Sequence, residues 1–171
     1  ALTLSNGATA VYTSGSGTSA MVYTYTVVED QTNSTDLSVS AYTGTLTDVA
    51  TNAAEAASGD LGAVIVDANS PDLASVAAAD GTYFVGNTIA ITVTYGEAVI
   101  GTGSALTLSN GATAVYTSGS GTTAMVYTYT VAEGNTASAD LLVSAYTGTL
   151  ADAAGNAAGA ASGDLGAVII D

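Results

Sequence analysis

Residues 105–122 read ALTLSNGATAVYTSGSGT, and residues 1–18 read the same without a change. Inside this stretch two strand-like runs, LTL and ATAVYT, flank Asn110-Gly111, a dipeptide that favours the positive φ angles of a two-residue type I′ hairpin. The same hairpin is expected at Asn6-Gly7, and SGSG at 118–121 marks the next turn. The chain therefore begins to read as antiparallel β structure, and it does so twice.

Extending the comparison outward at an offset of 104 lays residues 1–67 over residues 105–171, with 55 of the 67 positions identical. The substitutions gather in VVEDQTNSTD (27–36) against VAEGNTASAD (131–140), and in LTDVATNAAEA (46–56) against LADAAGNAAGA (150–160). Loops vary while strands do not. Residues 68–104 have no earlier counterpart, so one complete unit is expected over 68–171, preceded at 1–67 by an incomplete unit without the first strands. A period near 100 residues suits an autonomous domain better than a solenoid repeat, which runs roughly 20–50 residues. Residue 1 opens directly into strand-like sequence, as in an internal fragment. The missing strands are expected either before residue 1 in a longer chain or from a neighbouring molecule by strand addition.

Within the complete unit, Ile89, Ile91, Val93 and Tyr95 alternate with Ala90, Thr92 and Thr94, the period of two of a half-buried strand. Met125, Tyr127, Tyr129 and Val131 repeat the pattern, and further short runs lie at 141–145 and 167–170. The core is expected to contain Ile89, Ile91, Val93, Leu108, Tyr116, Tyr127, Tyr129, Leu141 and Ile169. The alanine-rich segment DAAGNAAGAASGD (152–164) carries three glycines and no large apolar stripe, so it reads as a loop rather than a helix. About seven short strands separated by Gly, Ser, Asn and Asp turns predict an all-β unit, a two-sheet sandwich of immunoglobulin-like type repeated in tandem.

Composition narrows function by exclusion. The 171 residues include fifteen Asp and Glu but no Lys, Arg, His or Cys, for a formal charge of -15. Acid-base and nucleophilic catalysis mostly recruit His, Cys or Lys, so no enzymatic activity is expected. A purely anionic chain is repelled by nucleic acid and by anionic bilayers, and no apolar run approaches the ~20 residues that span a membrane. The absence of cysteine excludes disulfides and thiolate metal sites without fixing a compartment.

The order of motifs DGTYFVGNTIAITVTYGEAV (80–99), LTLSNGATAVYTSGSGT (106–122), YTYTVAEGNTASADL (127–141), LADAAGNAA (150–158) and GDLGAVIID (163–171) resembles the bacterial immunoglobulin-like repeats of giant surface adhesins and biofilm-associated proteins. The resemblance covers nearly the whole chain. It implies an extracellular, cell-surface location and a role as spacer in a stalk, with adjacent repeats of the same chain as the partners. The alternative it allows is a subunit of an extracellular filament or surface layer, built with identical chains by lateral contacts or strand complementation. The chain departs from the expected pattern in having no basic residue and in its abundance of alanine.

The densest group of oxygen ligands is VDANSPD (66–72), which holds Asp67, Asn69 and Asp72. The loop TDVATN adds Asp48 and Asn52, and its repeat DAAGN has Asp152 and Asn156. Two readings stand. Calcium favours such ligands and would be clamped at the repeat junction; alternatively, Asp and Asn form turns by bonding their own backbone. An EF-hand is excluded, because Pro71 takes the place of a ligand and neither the Gly nor the twelfth-position Glu follows. Glu97 and Asp80 are further ligand candidates, or a carboxylate pair of the kind glycosidases use, for which no aromatic platform of Trp exists. The ten tyrosines mostly fall at strand spacing, where rings cap a core, although a sugar-binding surface is the other reading. Asn33-Ser34-Thr35 is a glycosylation sequon that the second repeat does not keep.

Overall fold

A computed structural model describes residues 1–171. The chain forms two compact units, Ala1–Asn69 and Ser70–Asp171. Both consist of strands and loops alone. The first unit contains β1 (Leu2–Leu4), β2 (Thr9–Ser14), β3 (Val22–Thr24), β4 (Ser38–Tyr42) and β5 (Gly59–Asp60). The second contains β6 (Leu73–Ala78), β7 (Gly81–Tyr83), β8 (Thr88–Val99), β9 (Ala105–Leu108), β10 (Thr113–Ser118), β11 (Thr122–Thr130), β12 (Leu142–Thr147), β13 (Gly163–Asp164) and β14 (Val168–Ile170).

In the second unit the hydrogen-bonded order is β13-β12-β9-β10-β11-β8-β6, with β14 and β7 as a separate parallel pair. Read as two halves, β6-β8-β11-β10 and β9-β12-β13 reproduce the A-B-E-D and C-F-G sheets of an immunoglobulin-like sandwich. The β9–β10 hairpin joins the halves, and the far edges also meet, because the Ala78 amide donates to the Leu165 carbonyl at 3.1 Å. The central ladder sets Tyr127 opposite Ile91, Met125 opposite Val93 and Tyr129 opposite Ile89. Alternation places all six on the buried face, where they meet Leu106, Leu108, Leu141, Leu165 and Val168. β-branched and aromatic residues suit these strands because they fill a pleated surface with few rotamers to lose.

Seven of the nine expected core residues are buried; Tyr116 and Ile169 differ. Tyr116 is half-buried, packing edge-on against Tyr127 with ring centroids 6.1 Å apart. Ile169 faces outward at 39% exposure, while Val168 and Ile170 point inward. In the run AVII every second residue is apolar in either phase, so sequence alternation leaves the phase open; parallel pairing of Val168–Ile170 with Gly81–Tyr83 sets it.

The expected type I′ hairpin at Asn110-Gly111 is replaced by a three-residue loop. Gly111 has φ +81°, but Asn110 does not take a positive φ. The Gly111 amide donates to the Leu108 carbonyl at 2.9 Å, and the Leu108 amide to the Ala112 carbonyl at 2.8 Å. This is a turn closed by a left-handed glycine, which the first repeat reproduces at Gly7 with φ +82°. Asn110 is held instead by its side chain. Its Nδ2 donates to the Tyr129 hydroxyl at 3.1 Å and to the Thr136 carbonyl at 3.3 Å.

The first unit has the sheet order β3-β2-β1-β4-β5, which matches β11-β10-β9-β12-β13 of the second and contains nothing corresponding to β6, β7 or β8. Its smaller core holds Leu2, Leu4, Ala10, Leu37, Val39, Val66 and Ala68. β3 spans three residues where β11 spans nine, although MVYTYTV is common to both repeats at 21–27 and 125–131. β3 keeps the ladder to β2 that β11 makes to β10, and it shortens at both ends, where β11 pairs with β8. Burial changes accordingly: Val27, Leu61 and Val64 are 47%, 47% and 38% exposed, against 3%, 1% and 0% for Val131, Leu165 and Val168.

Candidate functional site

The acidic loops are small hairpins. Bridges between Thr47 and Ala53, and between Ala151 and Ala157, close them, with Asp48 and Asp152 just inside. Oδ1 of Asp152 accepts the amides of Ala154, Gly155 and Asn156 at 2.8, 2.7 and 2.9 Å, and Oδ2 accepts Asn156 Nδ2 at 2.8 Å. Asp48 repeats the scheme, with Oδ1 taking the Ala50 and Asn52 amides at 2.8 Å each and Oδ2 taking Asn52 Nδ2 at 2.9 Å. The Asp-to-Asn spacing of four residues is therefore the signature of a side chain folding its own loop.

Environment separates the two repeats. Asp152 is buried, which acts to raise its pKa, yet the bonds from Asn156, Gly155 and Ala154 outweigh this and hold it below the ordinary carboxylate value. Asp48 is exposed, and its side-chain bond from Asn52, with the backbone bonds from Asn52 and Ala50, lowers its pKa too. Backbone strain also differs. Gly155 takes φ +97°, and the repeat places Thr51 at the same position with φ +70°, a conformation costly for a β-branched residue.

The remaining predicted ligands lie as follows. Asp67 accepts Asn33 Nδ2 at 2.7 Å through Oδ1, and Asn33 Oδ1 accepts the Ala68 amide at 2.7 Å. The sequon asparagine is thus part of a clamp on the end of the first unit. Asn69 is exposed, with its amide 3.5 Å from the same Asp67 oxygen. Asp72 has an exposed side chain, and its carbonyl accepts the Gly96 amide at 2.9 Å. Asp80 Oδ1 accepts the Ala167 amide at 2.9 Å and so ties the turn before β7 to the turn before β14.

One carboxylate pair in the second unit is close enough to share a cation. Oxygens of Glu97, on β8, and Asp152 lie within 4.8 Å of each other. Calcium–oxygen bonds of roughly 2.3–2.6 Å allow two ligand oxygens to stand up to about 5 Å apart, so the pair fits one calcium ion. A carboxylate offers about four lone-pair positions, and Asp152 Oδ2 uses only one on Asn156. The sequence names both residues without showing that the end of β8 brings them together.

A second feature carries no sequence signal. Tyr95, Tyr127 and Tyr146 gather with Ser104, whose Oγ lies 2.9 Å from the Tyr127 hydroxyl in a buried contact. The hydroxyls of Tyr95 and Tyr146 are buried with no hydrogen-bond partner. Burial, reinforced by the neighbouring tyrosines, pushes Tyr95 and Tyr127 up to about 12, and the Ser104 bond opposes this at Tyr127. These phenols stay neutral and serve as packing.

No family model matches the chain, and neither a curated protein nor a solved structure matches it significantly. Fold and loop chemistry define an all-β protein of tandem immunoglobulin-like repeats, one complete and one partial, in which Asp48 and Asp152 organise their own loops and Asp80 ties two turns together.

Proposed function

We propose that the chain is a structural spacer segment of an extracellular surface adhesin, without catalytic activity. The observation that carries this reading is the tandem repeat itself, in which 55 of 67 positions agree and nine of the twelve differences fall outside the strands. A binding or catalytic surface diversifies one face of a domain, whereas a spacer needs only the fold and its linkage. The absence of His, Cys, Lys and Arg supports the same conclusion, since it removes the usual nucleophiles and proton carriers. Surplus negative charge keeps a long array soluble and its repeats apart from one another.

Calcium belongs to the proposal as a stiffening ion, held by Glu97 and Asp152, because the chain offers no side-chain cation of its own to offset those carboxylates. A subunit of a filament or surface layer is the alternative. Electron microscopy of the native material separates the two. Thin single-chain rods are expected, and ordered fibres with many chains per cross-section would replace the spacer by the filament.

A further inference from the structure

We propose that Asn110-Gly111 is a deamidation site that the fold holds shut, so that its conversion marks chains in which this corner of the sandwich has opened. The inference stands on the loop geometry alone and goes beyond the spacer reading. An asparagine followed by glycine is the pair most prone to this reaction, because glycine has no Cβ to shield its nitrogen. The Gly111 nitrogen gives up its proton and attacks Cγ of Asn110, the Nδ2 group departs as ammonia with a proton from water, and a five-membered imide is left. One water then opens the ring to aspartate or isoaspartate. Steric cover does not prevent this here, since Gly111 is exposed and nothing lies within 4 Å of where its Cβ would stand.

Hydrogen bonds hold the site shut. Ring closure removes the Gly111 N–H, and with it the 2.9 Å bond to the Leu108 carbonyl that closes the loop. It also expels Nδ2, which donates to the Tyr129 hydroxyl at 3.1 Å and to the Thr136 carbonyl at 3.3 Å, while Oδ1 is held by the Ala112 amide at 3.1 Å. The carboxamide is kept from turning over, because the buried Tyr129 hydroxyl commits its proton to Asn135 Oδ1 at 2.9 Å and presents a lone pair to Nδ2. The product fits badly for the same reason. A carboxylate at 110 would turn an oxygen toward two acceptors, in a chain with no side-chain cation, so conversion also weakens the closed corner. The first repeat builds the same lock. Asn6 Nδ2 reaches the Tyr25 hydroxyl and the Thr32 carbonyl at 3.2 Å each, the Gly7 amide donates to the Leu4 carbonyl at 3.0 Å, and Gln31 takes the place of Asn135, accepting from Tyr25 at 2.7 Å.

The test incubates the full 171-residue chain at mildly alkaline pH, folded and in urea, and follows both asparagines by mass spectrometry. Cleavage after Glu29, Glu97 and Glu133 separates them, on fragments 1–29 and 98–133. Residues 1–18 and 105–122 are identical, so the two sites convert alike in urea. Both are expected to convert at least about tenfold more slowly in the folded chain, where several hydrogen bonds stand against ring closure. Tyr129→Phe keeps the ring in the core and is expected to speed Asn110 several-fold while leaving Asn6 unchanged. Asn135→Ala, in an exposed loop, frees the same hydroxyl without touching the core and gives the same result where the first variant melts below the incubation temperature. Asn110→Asp is expected to lower the melting temperature of the second unit. Equal rates folded and in urea, no response of Asn110 to these variants, an equal response at Asn6, or unchanged melting of Asn110→Asp would overturn the proposal.

Discussion

Tyr127 stands opposite Ile91 in the β8–β11 ladder, and both side chains are fully enclosed. Replacing Ile91 by Asp would set an unpaired carboxylate against the tyrosine ring at the centre of the sandwich. A loss on the order of 3–5 kcal/mol is expected, read as collapse of cooperative melting in the second unit. Ala90→Asp, on the exposed face of the same strand, should change stability by about 0.5 kcal/mol. Equal effects at the two positions would contradict the inward assignment. Thr92 is half-buried between β6 and β11, so it serves less well as the silent control.

The tyrosine cluster gives a pair of opposite outcomes. Tyr95→Phe removes a buried hydroxyl that has no partner and should leave stability unchanged or slightly raised. Tyr127→Phe breaks the bond to Ser104 and strands a buried hydroxyl, for a loss of about 1 kcal/mol in denaturant titration. Because folding raises both phenol pKa values from 10.0 to about 12, their contribution is complete below pH 10 and is lost as pH rises through about 12. Tyrosinate absorbance should therefore show a component that appears together with alkaline unfolding and shrinks in Tyr95→Phe.

Strand alternation made the second unit legible: Ile89 to Tyr95 and Met125 to Val131 are buried as the period of two requires. It failed at Ile169, where neighbouring apolar residues fit either phase, and at Asn110, where a side-chain bond to Tyr129 replaces the positive φ that Asn-Gly suggests. The Asp48–Asn52 and Asp152–Asn156 spacing was visible, but only coordinates show how many backbone amides each carboxylate accepts. Nothing local in sequence could pair Glu97 with Asp152, or Ser104 with Tyr127. Those contacts depend on how distant strands end.

Thr51 and Gly155 predict a reciprocal exchange. Thr51→Gly relieves a left-handed β-branched residue and should stabilise the first unit by up to about 1 kcal/mol. Gly155→Thr imports the same strain and should cost the second unit about 1–2 kcal/mol. Thermal melting of each variant checks both signs, and changes in the same direction would contradict the backbone account.

Calcium should raise the melting temperature of the second unit relative to chelator, with the increment reduced in Glu97→Gln. Asp152→Asn is a poorer probe, because it also disturbs the loop that Asp152 holds together. Identical melting with calcium and with chelator would leave the acids as turn formers and solubilising charge.

The central claim is that one sequence, MVYTYTV, is a buried central strand at 125–131 and an uncovered edge at 21–27 because only the second copy has β8 beside it. Amide hydrogen exchange on the full chain, resolved residue by residue, tests this directly, since identical sequences exchange alike when unfolded. The account predicts strong protection through Met125 to Thr130, with the corresponding outward-facing amides of Met21 to Thr26 exchanging close to the unfolded rate. Equal protection of the two segments would contradict it.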